Sequence, residues 1–172
     1  MMHIQNPRTE IDDLLHQTRN QLVMYSQMAD TKANILLSIS SVLATISITR
    51  ISDPLLRLPI VALIIFMVGA IFFSLLAVIP NINLHYTKKK TADPDFNALF
   101  FGDYAFVPYK EYLALMEKIL NDSDLVYEEQ VREIYFAGKY LQSTKYNYII
   151  YGYILFFVGV ISSVVIYLVQ AR

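Results

Sequence analysis

The chain has 172 residues, 55% of them hydrophobic and 17% charged, with a formal net charge of −1; this is too apolar for an ordinary soluble domain and marks a small membrane protein. It contains no cysteine, which excludes disulfides, thiolate metal sites and cysteine nucleophiles. His3, His16 and His85 are its three histidines; they are well separated and outside the apolar runs, so a histidine metal cluster is not expected.

Roughly the first thirty residues are mostly polar, and no cleaved signal peptide is expected there. Thr9 is placed to cap a helix whose first turns hold Glu10, Asp12 and Asp13, acids that suit the positive end of the helix dipole. Ile11, Leu15, Thr18, Leu22, Tyr25 and Ala29 then recur at steps of four and three, and Lys32 and Leu36 continue the register. Such a seam predicts that the N-terminal cytosolic helix, residues 1–32, is one rod with the first membrane span at 33–49. Along that span Asp30, Asn34, Ser38, Ser41, Thr45 and Thr49 form a polar stripe amid isoleucines, leucines and valines. Two uses fit it. The stripe can pack against another helix, its hydroxyls partly bonded to their own backbone, or it can line a wet path.

A turn signal at Ile51, Ser52, Asp53 and Pro54 precedes the second span, 58–79, which carries no charge; Pro59 can start it, and Pro80 and Asn81 end it. Within it Ala70 and Ser74 are a small-xxx-small pair suited to close helix contact. Residues 80–145 read as a cytosolic helical sensor region. It opens with Lys88, Lys89 and Lys90, passes a DPD turn and the aromatic run FNALFFGDYAF, and forms a helix from Pro108 to Leu120 with an apolar face of Tyr112, Leu115, Met116 and Ile119. The sequence NDSD supplies caps for a last helix that starts near Asp124 and runs unbroken to Val169. Its charge-free part, 146–169, is the third span, with Tyr140, Tyr146, Tyr148, Tyr151 and Tyr153 near its entry and Tyr167 near its exit. The fold class expected is an all-α membrane protein: three transmembrane helices, a small helical cytosolic domain between spans two and three, and an N-terminal cytosolic helix continuous with span one.

Orientation follows from the basic residues. Arg8, Arg19 and Lys32 precede span one and eight more lie from Lys88 to Lys145, against Arg50, Arg57 and Arg172 on the other side. Positive charge stays inside, so the N-terminus and the central region are expected in the cytoplasm.

The acidic residues form no catalytic pair. Asp122 and Asp124 cap a helix, Asp93 and Asp95 flank a turn proline, and Glu128 with Arg132 is an i,i+4 ion pair. With no phosphate loop, Ser-His-Asp set or zinc spacing either, no enzyme is expected. A binding face is better supported. Glu128, Arg132, Tyr135, Lys139, Gln142 and Tyr146 share one side of the last helix, next to an apolar side of Val131, Ile134, Gly138 and Leu141. Arg132 and Lys139 could hold a phosphate while Tyr135 stacks on a base, although the same pattern also describes a solvated face with snorkelling bases. Gly138 points to a close helix approach, from the stretch between Leu22 and Ala29.

Three stretches, ADTKANILL, LFFGDY and IYFAGKYLQSTKYNY, resemble the transmembrane effector family of Pycsar, the pyrimidine cyclase system for antiphage resistance; the resemblance extends from about Asp30 to Val169. It implies a multi-pass effector of the bacterial inner membrane that responds to cyclic CMP or cyclic UMP made by a partner pyrimidine cyclase upon phage infection. Activation would impair membrane integrity and depolarise the cell, an abortive infection. By motif match it carries importance to Asp30, Lys32, Phe101, Tyr135, Gly138, Lys145 and Tyr146, so that Lys32 and Lys145 join Arg132, Tyr135 and Lys139 as nucleotide-binding candidates. Asn34, Ser38, Ser41 and Thr45 are the membrane polar stripe. No cofactor or metal is expected, and the partners are the nucleotide, the lipid bilayer and further copies of the chain in a homo-oligomer, not nucleic acid. The β-roll of soluble cyclic-nucleotide sensors is lacking. The competing reading is a constitutive membrane scaffold or accessory subunit without ligand gating.

Overall fold

The computed structural model describes residues 9–79 and 89–171. Among them every regular element is helical: α1 (Thr9–Ile48), α2 (Arg57–Val78), α3 (Phe101–Tyr104), α4 (Tyr109–Leu120), α5 (Ser123–Tyr140), a π-helical turn (Leu141–Tyr146) and α6 (Asn147–Gln170). Three stretches are long and apolar enough to cross a membrane: Thr9–Ile48, Arg57–Val78 and Ser123–Gln170. The 40 residues of α1 make a rod of about 60 Å at about 1.5 Å per residue, roughly twice the hydrocarbon thickness of a bilayer. Pro80 and Asn81, expected to end the second span, and Arg8, Lys88, Arg172, His3 and His85 lie outside the described residues.

The chain divides into two compact units: residues 9–24 with 89–140, and residues 25–79 with 141–171. The second, apolar unit is built on small residues. Ala29, Ala33, Leu36 and Ser40 of α1, Met67, Ala70, Ser74 and Ala77 of α2, and Ile149, Gly152 and Gly159 of α6 are among its buried positions. Where Gly152 sits, a Cβ would lie 2.9 Å from Leu36 Cδ2, 3.5 Å from the Ala70 carbonyl oxygen and 3.6 Å from Ser74 Oγ. The absent side chain is what lets three helices meet there, the close contact foreshadowed by the Ala70 and Ser74 pair. At Gly159 a Cβ would lie 2.5 Å from Phe66 Cβ. The outward faces carry large apolar groups such as Ile65, Val68, Phe72, Phe157 and Ile161, each more than half exposed, a surface suited to lipid rather than water.

The seam on α1 differs from expectation at two places. Tyr25 and Lys32 are exposed, and Ser26 and Ala33 take their positions, so the inward line reads Ile11, Leu15, Thr18, Leu22, Ser26, Ala29, Ala33, Leu36, Ser40. Steps of four and four in succession at Leu22 are a stutter, which straightens the local winding and moves the inward positions from Tyr25 and Lys32 to Ser26 and Ala33, while Ala29 and Leu36 stay inward.

The first, polar unit has a core of Phe96, Ala98 and Ile119, packed by Tyr104, Val107, Leu115, Met116 and Val126. Pro108 occupies the N-cap position of α4. Asp122 Oδ1 accepts the backbone N–H groups of Asp124 and Leu125 at 3.0 and 3.3 Å, capping α5. The DPD turn closes as Lys90 N–H donates to Asp93 Oδ2 at 2.7 Å. Thr9 is the first described residue and is already helical.

Candidate functional site

Two of the motif stretches meet in the apolar unit. Lys145 lies in the π-helical turn, and its ammonium donates to Asp30 Oδ1 at 2.7 Å, Asp30 Oδ2 at 2.9 Å and Ser26 Oγ at 2.9 Å. Its side chain is 14% exposed and that of Asp30 37%. In a regular α-helix the four-residue steps from Leu141 to Lys145 to Ile149 would drift round the axis by about 40° each. The wider π turn takes up this drift, and so keeps Lys145 on the same side as buried Leu141, Ile149 and Gly152. Around this pair, Lys32 Nζ stands 6.0 Å from the centre of the Tyr146 ring, at the outer reach of a cation–π contact. Tyr146 and Tyr153 hydroxyls point to the carbonyls of Tyr25 and Lys32, each at 3.5 Å. Lys145 is thus already neutralised, whereas Lys32 is exposed.

The remaining cationic candidates belong to the polar unit. Arg132 donates through Nη1 to the Phe96 carbonyl at 3.1 Å, and pairs with Glu129 at 3.2 Å and with Glu128 at 3.5 Å. It anchors the aromatic loop, a structural role the sequence pattern did not show. Glu129 is 12% exposed, and its Oε2 finds no partner among the described residues. Tyr135 is 62% exposed, edge-on to Phe136, and Lys139 is exposed on the same helix. Gly138 meets Leu22, whose Cδ2 is 3.7 Å from where a Cβ would stand, the approach its position suggested. Arg19 pairs with Glu133 at 3.4 Å, and the Tyr127 hydroxyl donates to Asp12 Oδ1 at 2.7 Å. That hydrogen bond, with burial and the Asp12 charge behind it, raises the Tyr127 pKa; burial and neighbouring Tyr104 raise that of Tyr112.

Asp103, within LFFGDY, has a role that the sequence pattern did not show. It is 2% exposed; its Oδ2 accepts the Asn97 N–H at 2.9 Å and the Lys89 ammonium at 3.0 Å, while that ammonium also donates to the Asp95 carbonyl at 2.9 Å. A buried carboxylate satisfied by a cation and a backbone donor folds this loop back on itself. Phe100 lies over Gly102, where a Cβ would come within 2.3 Å of the ring. Phe101, carried over by motif, is 68% exposed. A charged residue inside an aromatic run was the available signal.

A family model described as Pycsar effector protein domain matches residues 14–170. The chain belongs to this family. No match is found among curated proteins or among solved structures. Membership makes the chain an antiphage defence effector, and in this Pycsar effector the motif stretches ADTKANILL and IYFAGKYLQSTKYNY are joined by the Asp30–Lys145 pair, with LFFGDY closed around Asp103 in the polar unit. The polar stripe lies elsewhere on α1. Asn34, Ser38 and Thr45 are exposed and Ser41 is half-buried; Thr45 Oγ1 bonds back to the Ser41 carbonyl at 2.9 Å. The inward seam is carried by Ala33, Leu36 and Ser40 instead.

Proposed function

We propose that this Pycsar effector is a non-enzymatic inner-membrane protein that binds cyclic CMP or cyclic UMP from a partner cyclase and answers by impairing the membrane. The N-terminus and residues 80–145 face the cytoplasm. The nucleotide is taken on the face of α5 that carries Arg132, Tyr135 and Lys139: exposed Tyr135 offers a ring for the base, and the two cations a site for the phosphate. The observation that carries this reading is the Asp30–Lys145 pair in its π-helical turn. It ties span one to span three where each helix enters the apolar unit. π turns concentrate at functional sites, and a charge pair enclosed by helices is an element with two discrete states, made or broken. A nucleotide bound on α5 strains the helix that continues into this turn, and loss of the pair frees span one from its neighbours.

Co-expression with pyrimidine cyclases, followed with a potential-sensitive dye, tests this. Depolarisation that needs an active cyclase supports the proposal. A membrane potential unaffected by any cyclase, in cells that carry the inserted protein, overturns it in favour of a constitutive scaffold.

A further inference from the structure

Helix α1 carries a second seam. Gln27, Thr31, Asn34, Ser38, Ser41 and Thr45 recur at steps of four, three, four, three and four, exposed throughout except for half-buried Ser41. At about 100° per residue the mean direction of this line is about 150° from that of Ala29, Ala33, Leu36 and Ser40. The seam therefore faces away from the other two spans. Unlike the inward line it has no stutter, and an uninterrupted repeat of about 3.5 residues is the pattern of a left-handed helix pair.

Its chemistry is incomplete within one chain. Thr31 and Thr45 bond back to the carbonyls of Gln27 and Ser41, but the Asn34 carboxamide and Ser38 hydroxyl have no partner among the described residues. Flanked by exposed Ile35, Ile39, Val42 and Ile46, these groups lie on a face that lipid cannot hydrogen-bond.

We propose that this seam is the contact face for a second copy of the chain, forming a parallel α1 pair. Every copy inserts the same way round, so at such a contact each residue meets its own counterpart at its own depth. Carboxamides and hydroxyls both donate and accept, and the seam from Gln27 to Thr45 holds no charged residue. It is therefore complementary to itself, and a second copy needs no coevolved partner. Asn34 opposite Asn34 fixes the register, as a lone buried asparagine does in helix pairs. The pair forms without nucleotide, so its test is separate from that of the ligand response.

Because the chain has no cysteine, a cysteine placed singly at each position from 33 to 46 of the full chain reports only that position when membranes are oxidised without nucleotide. Disulfide-linked dimers are expected to peak at 34, 38, 41 and 45, and to be scarce at 33, 36 and 40 and at 35, 39, 42 and 46. In proteoliposomes, Asn34→Leu with Ser38→Leu should weaken self-association about three- to thirtyfold, the equivalent of about 0.6 to 2 kcal/mol for interhelical hydrogen bonds in a bilayer. Insertion is not at risk, since both changes make the span more apolar. A dimer peak on the 35, 39, 42 and 46 face, cross-links to another protein only, monomers at every position, or unchanged association of the double variant would each overturn the proposal.

Discussion

Removing either partner of the Asp30–Lys145 pair should have unequal costs. Lys145 is 14% exposed and Asp30 37%, so when Lys145→Met removes the cation, Asp30 can turn toward water. Asp30→Ala instead strands a mostly buried ammonium, with only Ser26 left to accept from it. A charge-assisted hydrogen bond contributes about 1.5 to 3 kcal/mol and an exposed ion pair about 0 to 1. For this half-enclosed pair the coupling should be about 1 to 2 kcal/mol, with Asp30→Ala costing about 2 to 3 and Lys145→Met about 1 to 2. At roughly 2–4 °C per kcal/mol for a chain of this size, the melting temperature in mild detergent should fall by about 4–12 °C and 2–8 °C respectively. The double variant should lose less than the sum. Circular dichroism melts of the four proteins complete the cycle. Additive losses, or a larger loss for Lys145→Met, would refute the reasoning that an enclosed Lys145 depends on Asp30.

Three further outcomes follow from the geometry. Gly159→Ala puts a methyl 2.5 Å from Phe66 Cβ and should destabilise the apolar unit by about 1 to 3 kcal/mol, whereas Gly138→Ala, with 3.7 Å to Leu22 Cδ2, should melt no lower than wild type because alanine favours the helix. The raised Tyr127 pKa means that its hydrogen bond contributes fully below the ordinary tyrosine value of about 10 and is lost as pH rises through the raised folded value; melting temperature should fall more steeply above about pH 10 for wild type than for Tyr127→Phe. Lys139→Ala and Arg132→Ala should each weaken binding of radiolabelled cyclic CMP or cyclic UMP about tenfold or more while the protein still inserts. Arg132→Ala should also lower stability, because Arg132 holds the Phe96 carbonyl; a double variant that binds both nucleotides as tightly as wild type removes this face from the account.

The helical, three-span frame was legible because it rests on local signals: long apolar runs, Pro108 before α4, Asp122 before α5, and small residues at Ala70 and Ser74. Pairings across the chain were not. Nothing in the spacing says that Lys145 finds Asp30, 115 residues away, or that Asp103 takes Lys89, because such partners are chosen by tertiary packing. The inward face of α1 was read correctly up to Leu22 and then one residue out of phase at Tyr25 and Lys32, since a stutter leaves no mark in a strict four-three count. Arg132 was read as a surface cation paired with Glu128 and open to a ligand, yet its neighbours also include Glu129 and the Phe96 carbonyl, and the latter comes from a distant loop.

On the proposed function, a cyclic pyrimidine nucleotide makes this chain impair the membrane in which it sits. Purified protein in liposomes loaded with a self-quenched dye, exposed in turn to cyclic CMP, cyclic UMP and the purine counterparts, measures that with no other component present. Dye release on addition of one of the pyrimidine nucleotides, and not with the purines, is the predicted result; intact liposomes with both pyrimidine nucleotides, at a protein density where insertion is verified, would contradict it.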